Sequence, residues 1–270
     1  FKKDGDTYQA PEGYARNTED VYTFKFSYTN DKEATVSFAH TFSNDRVTAK
    51  INLFKVDKET GKAVPQGDAT LKGAVYGLYA REDIVHPDGA TGTIYKAGEQ
   101  IASLTTDDKG QASVNGLYLG KYYVKEITPP TGYLADTEEH DLVCCYEGDM
   151  TAEVKRECTS SEQIIKQPLQ IIKAANNGKT DAELLSGAGF TVYLKSSLTK
   201  KADGSYDFDS AKPVVSGENG ATEIFTDEKG YACSIPLPFG SYIVRETTTP
   251  HNYKPVDDFE VNITEHHPNE

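Results

Sequence analysis

The feature that most constrains the fold is a long internal repeat, visible in four separate motifs. KYYVKEITPPTGY at 121–133 recurs as SYIVRETTTPHNY at 241–253, which puts Glu246 in the place of Glu126. The other three pairs keep the same order along the chain: INLFK at 51–55 and LQIIK at 169–173, LKGAVYGLY at 71–79 and LSGAGFTVY at 185–193, TDDKG at 106–110 and TDEKG at 226–230. The offset is nearly constant, at 120 (246 − 126) for the glutamates and 118 (173 − 55) for the lysines. A unit of this length has the size of a domain, so the sequence predicts tandem domains rather than a solenoid.

These offsets divide the chain into three units. Residues 49–166 form one complete repeat, here called the middle repeat. Residues 167–270 form a second, here called the last repeat, which lacks the final strand of the middle one. Residues 1–48 match only the C-terminal part of a repeat, because APEGY at 10–14 corresponds to PPTGY at 129–133. We therefore interpret the sequence as a fragment of a longer protein, with its secretion signal and anchor outside it.

Short strands separated by turn residues fill all three units. The chain has 17 Tyr and no Trp, and Tyr with Thr and Val favours strands over helices. Turn signals recur about every ten residues, which is typical of a β-sandwich. The predicted strands are 22–28 and 34–40, joined by a turn at 29–32; then 51–56, 74–80, 101–104, 111–114, 122–127, 141–146 and 150–157; and finally 259–264. The predicted fold class is all-β.

Composition excludes several classes of partner. The net charge of −14 disfavours nucleic acid and anionic membrane surfaces. No apolar run reaches the roughly 18 residues of a membrane span, so we expect no membrane contact by this fragment. The cysteines lack zinc-ligand spacing, and no catalytic triad or phosphate loop stands out. We expect no metal and no cofactor, and not an enzyme that acts on an external substrate.

Glu126 is a charged residue in a stretch that otherwise has the pattern of a buried strand. It follows Val124 and precedes Ile127 in a predicted strand that ends at Pro129. A buried carboxylate is costly unless it is paired or protonated. Either Glu126 points to solvent, or it has a role inside the domain.

These motifs resemble the Cna B-type, or SpaA-like, repeat domains of Gram-positive surface adhesins and pilins, over nearly the whole chain. The residues that carry the resemblance are LFKVD at 53–57, GA at 73–74, YVKE at 123–126 and PTGY at 130–133, and in the last repeat IK at 172–173, GA at 187–188, VRE at 244–246 and PHNY at 250–253. The resemblance implies tandem Ig-like, prealbumin-like β-sandwich domains.

Many domains of that family contain an intramolecular isopeptide bond, in which a lysine on the first strand is joined to an Asn or Asp on the last strand. The resemblance implies that Lys55 and Lys173 are the reacting lysines, and that Glu126 and Glu246 are the acids that promote the bond. The chemistry is reasonable, because burial favours the neutral amine that must attack. A protonated buried carboxyl group polarises the acceptor, and burial holds the reacting groups together.

The acceptors fit the family pattern less well. Asn44 lies 11 residues before Lys55 (55 − 44), where the family's acceptor usually sits. Its own lysine would precede residue 1, so the resemblance implies an acceptor for a unit outside the chain. The same spacing before Lys173 (173 − 11) gives Glu162, with Gln163 next to it, where the family has Asn or Asp. Two interpretations of the middle repeat therefore stay open: a cross-linked Lys55, or an ordinary buried pair of Lys55 and Glu126.

The resemblance implies a structural stalk or spacer from a secreted, cell-wall-anchored adhesin or pilus-like protein, with neighbouring repeats of the same protein as partners. The alternative is a binding module whose loop at 84–100 recognises a host extracellular protein or a glycan. An array of similar loops would favour the stalk, whereas one elaborated loop would favour binding.

Overall fold

The computed structural model describes residues 2–4, 7–19, 21–25, 27, 37–176, 178 and 183–264. This part of the chain is built almost entirely of strands, and its helical content is two short 3-10 turns, Lys195–Ser197 and Glu218–Gly220. No helix within it is long and apolar enough to cross a membrane. The predicted all-β class is therefore confirmed.

The first unit contributes one short hairpin, β1 (Lys2–Asp4) with β2 (Thr7–Gln9). The turn predicted at 29–32 and much of the two strands around it lie outside the described residues. The flanking described segments, 21–25 and 37–45, are not strands. Their rings nevertheless face each other, with centroids 4.3 Å apart for Tyr22 and His40 and 5.3 Å apart for Phe24 and Phe38.

The middle repeat folds as two facing sheets. Its strands are β3 (Thr48–Asp57), β4 (Val75–Ala80), β5 (Ile84–Val85), β6 (Thr93–Tyr95), β7 (Gln100–Thr105), β8 (Gln111–Leu117), β9 (Gly120–Thr128), β10 (Glu139–Cys144) and β11 (Glu153–Glu162). One sheet has the order β10-β9-β4-β7 and the other has the order β11-β3-β8. β5 and β6 form a small separate hairpin inside the segment predicted as a loop. Since β11 runs parallel to β3, the first and last strands of the repeat lie side by side.

The core of the middle repeat lies between these sheets because their strands alternate buried and exposed positions. On β3 every second residue is buried: Ala49, Ile51, Leu53, Lys55 and Asp57. The first three pack with residues of the facing sheet such as Leu78 and Val124. Alternation thus carries a lysine and an aspartate into the end of the core.

The last repeat follows the same plan, but no described strand takes the place of β11. Its strands are β12 (Lys166–Ile172), β13 (Ala174–Ala175), β14 (Glu183–Leu184), β15 (Gly189–Leu194), β16 (Thr199–Lys200), β17 (Tyr206–Asp207), β18 (Glu223–Phe225), β19 (Tyr231–Pro238), β20 (Gly240–Thr248) and β21 (Phe259–Ile263). β15, β18, β20 and β21 form one sheet, and β12 pairs with β19 alone in the described part of the chain.

The two repeats meet at a small apolar junction. Phe239 of the last repeat packs against a cluster of Ala69, Leu71, Tyr133 and Ile164 from the middle repeat. The Phe239 amide donates to the Ile165 carbonyl at 2.8 Å, and the Asp68 amide donates to the Phe239 carbonyl at 2.9 Å. The repeats are therefore docked and not merely tethered.

Candidate functional site

The middle repeat holds a closed polar pocket at the end of its core. Lys55 on β3 is fully buried, and its Nζ lies 3.5 Å from Oε1 of Glu126 on β9. Nζ also contacts Oε1 of Glu162, the last residue of β11. Both carboxyl side chains are buried as completely as the lysine. β3, β9 and β11 thus place one amine and two carboxyl groups together in a buried pocket.

The parallel register of β3 and β11 explains how Glu162 arrives there. Lys55 is paired with Ser160, and Asp57 with Glu162. Ser160 and Glu162 are two positions apart on β11, so they share its inward face. Both are buried, and Glu162 reaches back to the amine of Lys55.

A tyrosine hydroxyl lies between these groups. The Tyr76 hydroxyl accepts a hydrogen bond from Lys55 Nζ at 3.3 Å and lies 2.8 Å from Glu162 Oε1 and 2.9 Å from Ser160 Oγ. Tyr76 reaches the pocket because β4 pairs with β9, which sets it opposite Glu126. The phenol therefore touches both the amine and the second carboxyl group.

Asp136 makes hydrogen bonds that hold Glu126 and Ser160 in position. The Asp136 amide donates to Glu126 Oε2 at 2.7 Å. The Asp136 carboxylate accepts from Ser160 Oγ at 2.9 Å and lies 2.8 Å from Nε2 of the half-buried His140. Asp136 thus braces Glu126 through its backbone and Ser160 through its side chain.

Burial dominates the electrostatics of the pocket. It lowers the pKa of the Lys55 amine to about 8, against the raising effect of the nearby Glu126. It also raises the pKa of the Tyr76 phenol, which keeps its proton. Glu162 Oε2 is buried and has no hydrogen-bond partner among the described residues. A buried polar oxygen without a hydrogen-bond partner is costly to the folded state.

The last repeat contains the corresponding pair without the acceptor. Lys173 Nζ lies 2.7 Å from Glu246 Oε2, which also accepts from the Val256 amide at 2.8 Å. Phe190 stands opposite Glu246, where the middle repeat has Tyr76 opposite Glu126. Glu246 Oε1 is buried and has no hydrogen-bond partner in the described chain, and no described strand lies on the free edge of β12.

Comparison with known proteins identifies the family. A family model described as "SpaA: Prealbumin-like fold domain" matches residues 49–157 and again 168–270. This chain belongs to the SpaA prealbumin-like fold family. No curated protein matches it.

Solved structures similar to this SpaA-type chain include two pilins. The Bacillus anthracis TIE protein matches with a TM-score of 0.54 and 24% identity over 83% of this chain, which spans 32% of that protein's length. A streptococcal ancillary pilin matches with a TM-score of 0.31 and 21% identity, covering 86% of this chain and 64% of that one. The shaft pilin SpaA from Lactobacillus rhamnosus GG matches with a TM-score of 0.28 and 18% identity, covering 80% and 93%. The two matches of the family model confirm the family resemblance and the tandem prealbumin-like fold predicted from the sequence.

The SpaA fold brings some of the predicted site residues together and keeps others apart. Lys55, Glu126 and Glu162 meet in the middle pocket, and Lys173 and Glu246 meet in the last repeat. Asn44 and Gln163 are placed elsewhere. The Asn44 amide donates to the Ala15 carbonyl at 2.7 Å. The Gln163 amide donates to Glu59 Oε1 at 2.7 Å at the exposed side of the strand end.

Three pocket residues were not singled out in the sequence: Tyr76, Ser160 and Asp136. Aligning the repeats places Tyr76 over Phe190, a hydroxyl present in one core and absent from the other. That difference was the available signal for Tyr76. The sequence contains no such signal for Ser160 and Asp136, because their place in the pocket depends on which strands pair in the fold. No group of three His, Cys, Asp or Glu side chains that could hold a metal occurs in the described ranges.

Proposed function

We propose that these SpaA-type repeats form a stalk of a surface adhesin or pilus-like protein, and that the middle repeat closes an isopeptide bond between Lys55 and Glu162. The observation that carries the proposal is the contact of the buried Lys55 Nζ with Glu162 Oε1 beside Glu126. The bond would join the first strand to the last, which lie parallel in one sheet. Pulling on the ends of the repeat could then not separate these strands.

The reaction we propose is a condensation. Neutral Lys55 Nζ attacks Cδ of the Glu162 carboxyl group, a C–N bond forms, and one C–O bond breaks to release water. Glu126, 3.5 Å from Nζ, is the acid that promotes the step by exchanging a proton with the amine. The product replaces an amine and an acid in a dry pocket by a neutral amide, which relieves the cost of burying them.

The same proposal predicts no bond at Lys173 within the described chain, since only Glu246 faces it there. For the last repeat we propose the same roles, Lys173 as nucleophile and Glu246 as acid, toward an acceptor carried by a strand beside β12. Asn44 keeps its proposed role as acceptor for a unit outside this chain.

The shape of the long loops supports a spacer. The segment between β4 and β7 contains the β5–β6 hairpin, and the segment between β15 and β18 contains the β16–β17 hairpin. Both repeats therefore carry a short hairpin at the same place in the fold. A feature shared by both repeats favours the stalk over a single elaborated binding loop, and we propose a secreted, cell-surface location for it.

The test is the intact mass of the denatured, reduced protein beside that of a Glu126→Ala variant. We expect the wild type to be lighter than its formula by one water, and the variant to match its formula. Peptide mapping should then find Lys55 joined to Glu162. Gln163→Ala is the matched control and should keep the mass deficit. A wild-type mass equal to the formula would leave Lys55 and Glu126 as an ordinary buried pair and refute the cross-link.

A further inference from the structure

We infer that Tyr76 is a catalytic residue of the middle repeat, and that its phenol carries a proton from Lys55 to the departing oxygen of Glu162. The inference rests on the proposed function, because it assigns a step of the same condensation. The juxtaposition that carries it is one hydroxyl within hydrogen-bond distance of both reacting groups: 3.3 Å from Lys55 Nζ and 2.8 Å from Glu162 Oε1.

The proton balance of the reaction requires such a group. An ammonium and a carboxylate contain all the atoms of the amide and one water, so no proton need enter from solvent or leave to it. Two protons must, however, pass from Nζ to the oxygen that leaves: one before the attack, which makes the amine neutral, and one as the C–O bond breaks. Glu126 can take a proton from Nζ, but it makes no described hydrogen bond to Glu162 and cannot hand the proton on by itself.

Tyr76 makes both connections. Its oxygen accepts from Nζ, and its own hydrogen can be donated to Glu162 Oε1. Passing one proton in and one proton out leaves the phenol unchanged, so it acts as a relay. Burial raises the pKa of the phenol, which keeps it protonated and ready to donate. Bulk solvent does not reach Lys55, Tyr76 or Glu162, so a side chain within hydrogen-bond distance of both reacting groups can act as the relay.

Ser160 and Asp136 hold the relay in position. Tyr76 has one hydrogen and two acceptors, Glu162 Oε1 and Ser160 Oγ. Ser160 gives its own hydrogen to Asp136 Oδ2, which leaves the serine oxygen free to accept from the phenol. The phenol can therefore donate its hydrogen to Ser160 Oγ before the reaction and to Glu162 Oε1 during it. These two side chains are positioning residues.

The last repeat supplies a natural comparison. Phe190 occupies the place of Tyr76 opposite the catalytic glutamate and is equally buried. The fold thus accepts phenylalanine at this position, and Tyr76→Phe removes only the hydroxyl. We expect this variant to fold and to cross-link slowly.

The experiment follows newly translated protein by intact mass over time, in the wild type and in Tyr76→Phe, with circular dichroism to confirm folding. We expect the loss of water to slow by about 10²-fold or more, the usual contribution of a proton-transfer group. Tyr122→Phe is the matched control, because Tyr122 is also buried but its hydroxyl donates to the Tyr118 carbonyl outside the pocket. That variant should lose water at the wild-type rate.

The outcomes separate the two proposals. A wild type that never loses water refutes the cross-link and the relay together. A wild type and a Tyr76→Phe variant that lose water equally fast refute the relay alone. Should Tyr76→Phe fail to fold, 3-fluorotyrosine placed at position 76 keeps the shape while making the phenol more acidic. A changed rate then supports proton transfer through Tyr76, and an unchanged rate overturns it.

Discussion

At the scale of single residues, the pocket depends on what burial does to a lysine. Lys55 occupies an inward position on β3 that a leucine could fill, and among the described residues its amine contacts Glu126, Glu162 and the Tyr76 hydroxyl. A buried charge costs free energy that its partners offset only in part. A lysine kept there for packing would be a poor choice, whereas a lysine kept there as a nucleophile benefits from the same burial.

This burial predicts a pH dependence in the absence of the bond. In a Glu126→Gln variant, which we expect to stay unlinked, Lys55 remains an amine in a dry pocket. While the amine is unreacted, burial lowers its pKa in the folded protein to about 8, against an ordinary 10.5. Removing Glu126 takes away a contribution that raises this pKa, so it stays low. At a pH between these two pKa values, Lys55 is protonated in the unfolded chain and mostly neutral in the folded one. The free energy of unfolding therefore rises with pH, by at most about 1.4 kcal/mol per pH unit.

The measurement is urea unfolding of this variant at several pH values from about 8 to 10.5. Adding Lys55→Met to the same background is the control, since the other titrating groups are common to both proteins. The difference between the two slopes isolates Lys55. Equal slopes would contradict a lowered lysine pKa in the folded state.

At the scale of elements, the proline turn after β9 is fastened to the end of β3. The Tyr133 hydroxyl donates to Asp57 Oδ2 at 2.9 Å, and both residues are buried. Asp57 also accepts from the amides of Glu59 and Thr60, which fixes the turn that follows β3. The aromatic residue of the turn therefore helps to hold the strand that carries the lysine.

We predict that Tyr133→Phe weakens this end of β3. Removing one donor from a buried carboxylate should lower the local free energy of opening by about 1–3 kcal/mol. The measurement is hydrogen exchange of the β3 and turn amides. Tyr253→Phe is the matched control, because Tyr253 holds the same place in the last repeat but is 39% exposed. Its effect should stay within about 0.5 kcal/mol, and an equally large effect would show that the Asp57 contact is unimportant.

The sequence predicted the elements better than their ends, and the reason is visible at β11. The pattern placed the last strand of the middle repeat at 150–157, whereas β11 runs over Glu153–Glu162. Its final residues, SSE at 160–162, have little strand character. They are extended because the ladder with β3 continues to the pair of Asp57 and Glu162. Lys55 and Glu126 were predictable from local motifs. The contact of Tyr76 with Lys55 and Glu162 was not predictable, because it depends on the pairing of β4 with β9.

At the scale of the whole molecule, force would pass from one repeat to the next through the docked junction around Phe239. β11 leads through Ile164 and Ile165 into β12, and the amide of Phe239 donates to the Ile165 carbonyl. The strand that ends one repeat is thus continuous with the strand that begins the next. Within the middle repeat of the proposed stalk, tension would enter at β3 and leave at β11, the two strands that the proposed bond joins.

Stretching single molecules should therefore distinguish the linked repeat from the unlinked one. A covalent bond between Lys55 and Glu162 carries the tension directly, so the chain between them cannot be extended. The shielded length is 107 residues (162 − 55), or roughly 350 Å when fully extended. We predict that Glu126→Ala unravels further than the wild type by about this length, while the last repeat contributes equally to both. Because a hydrogen-bonded pair could delay unfolding but could not shorten the final extension, equal extensions in the two proteins would refute the cross-link whatever their unfolding forces.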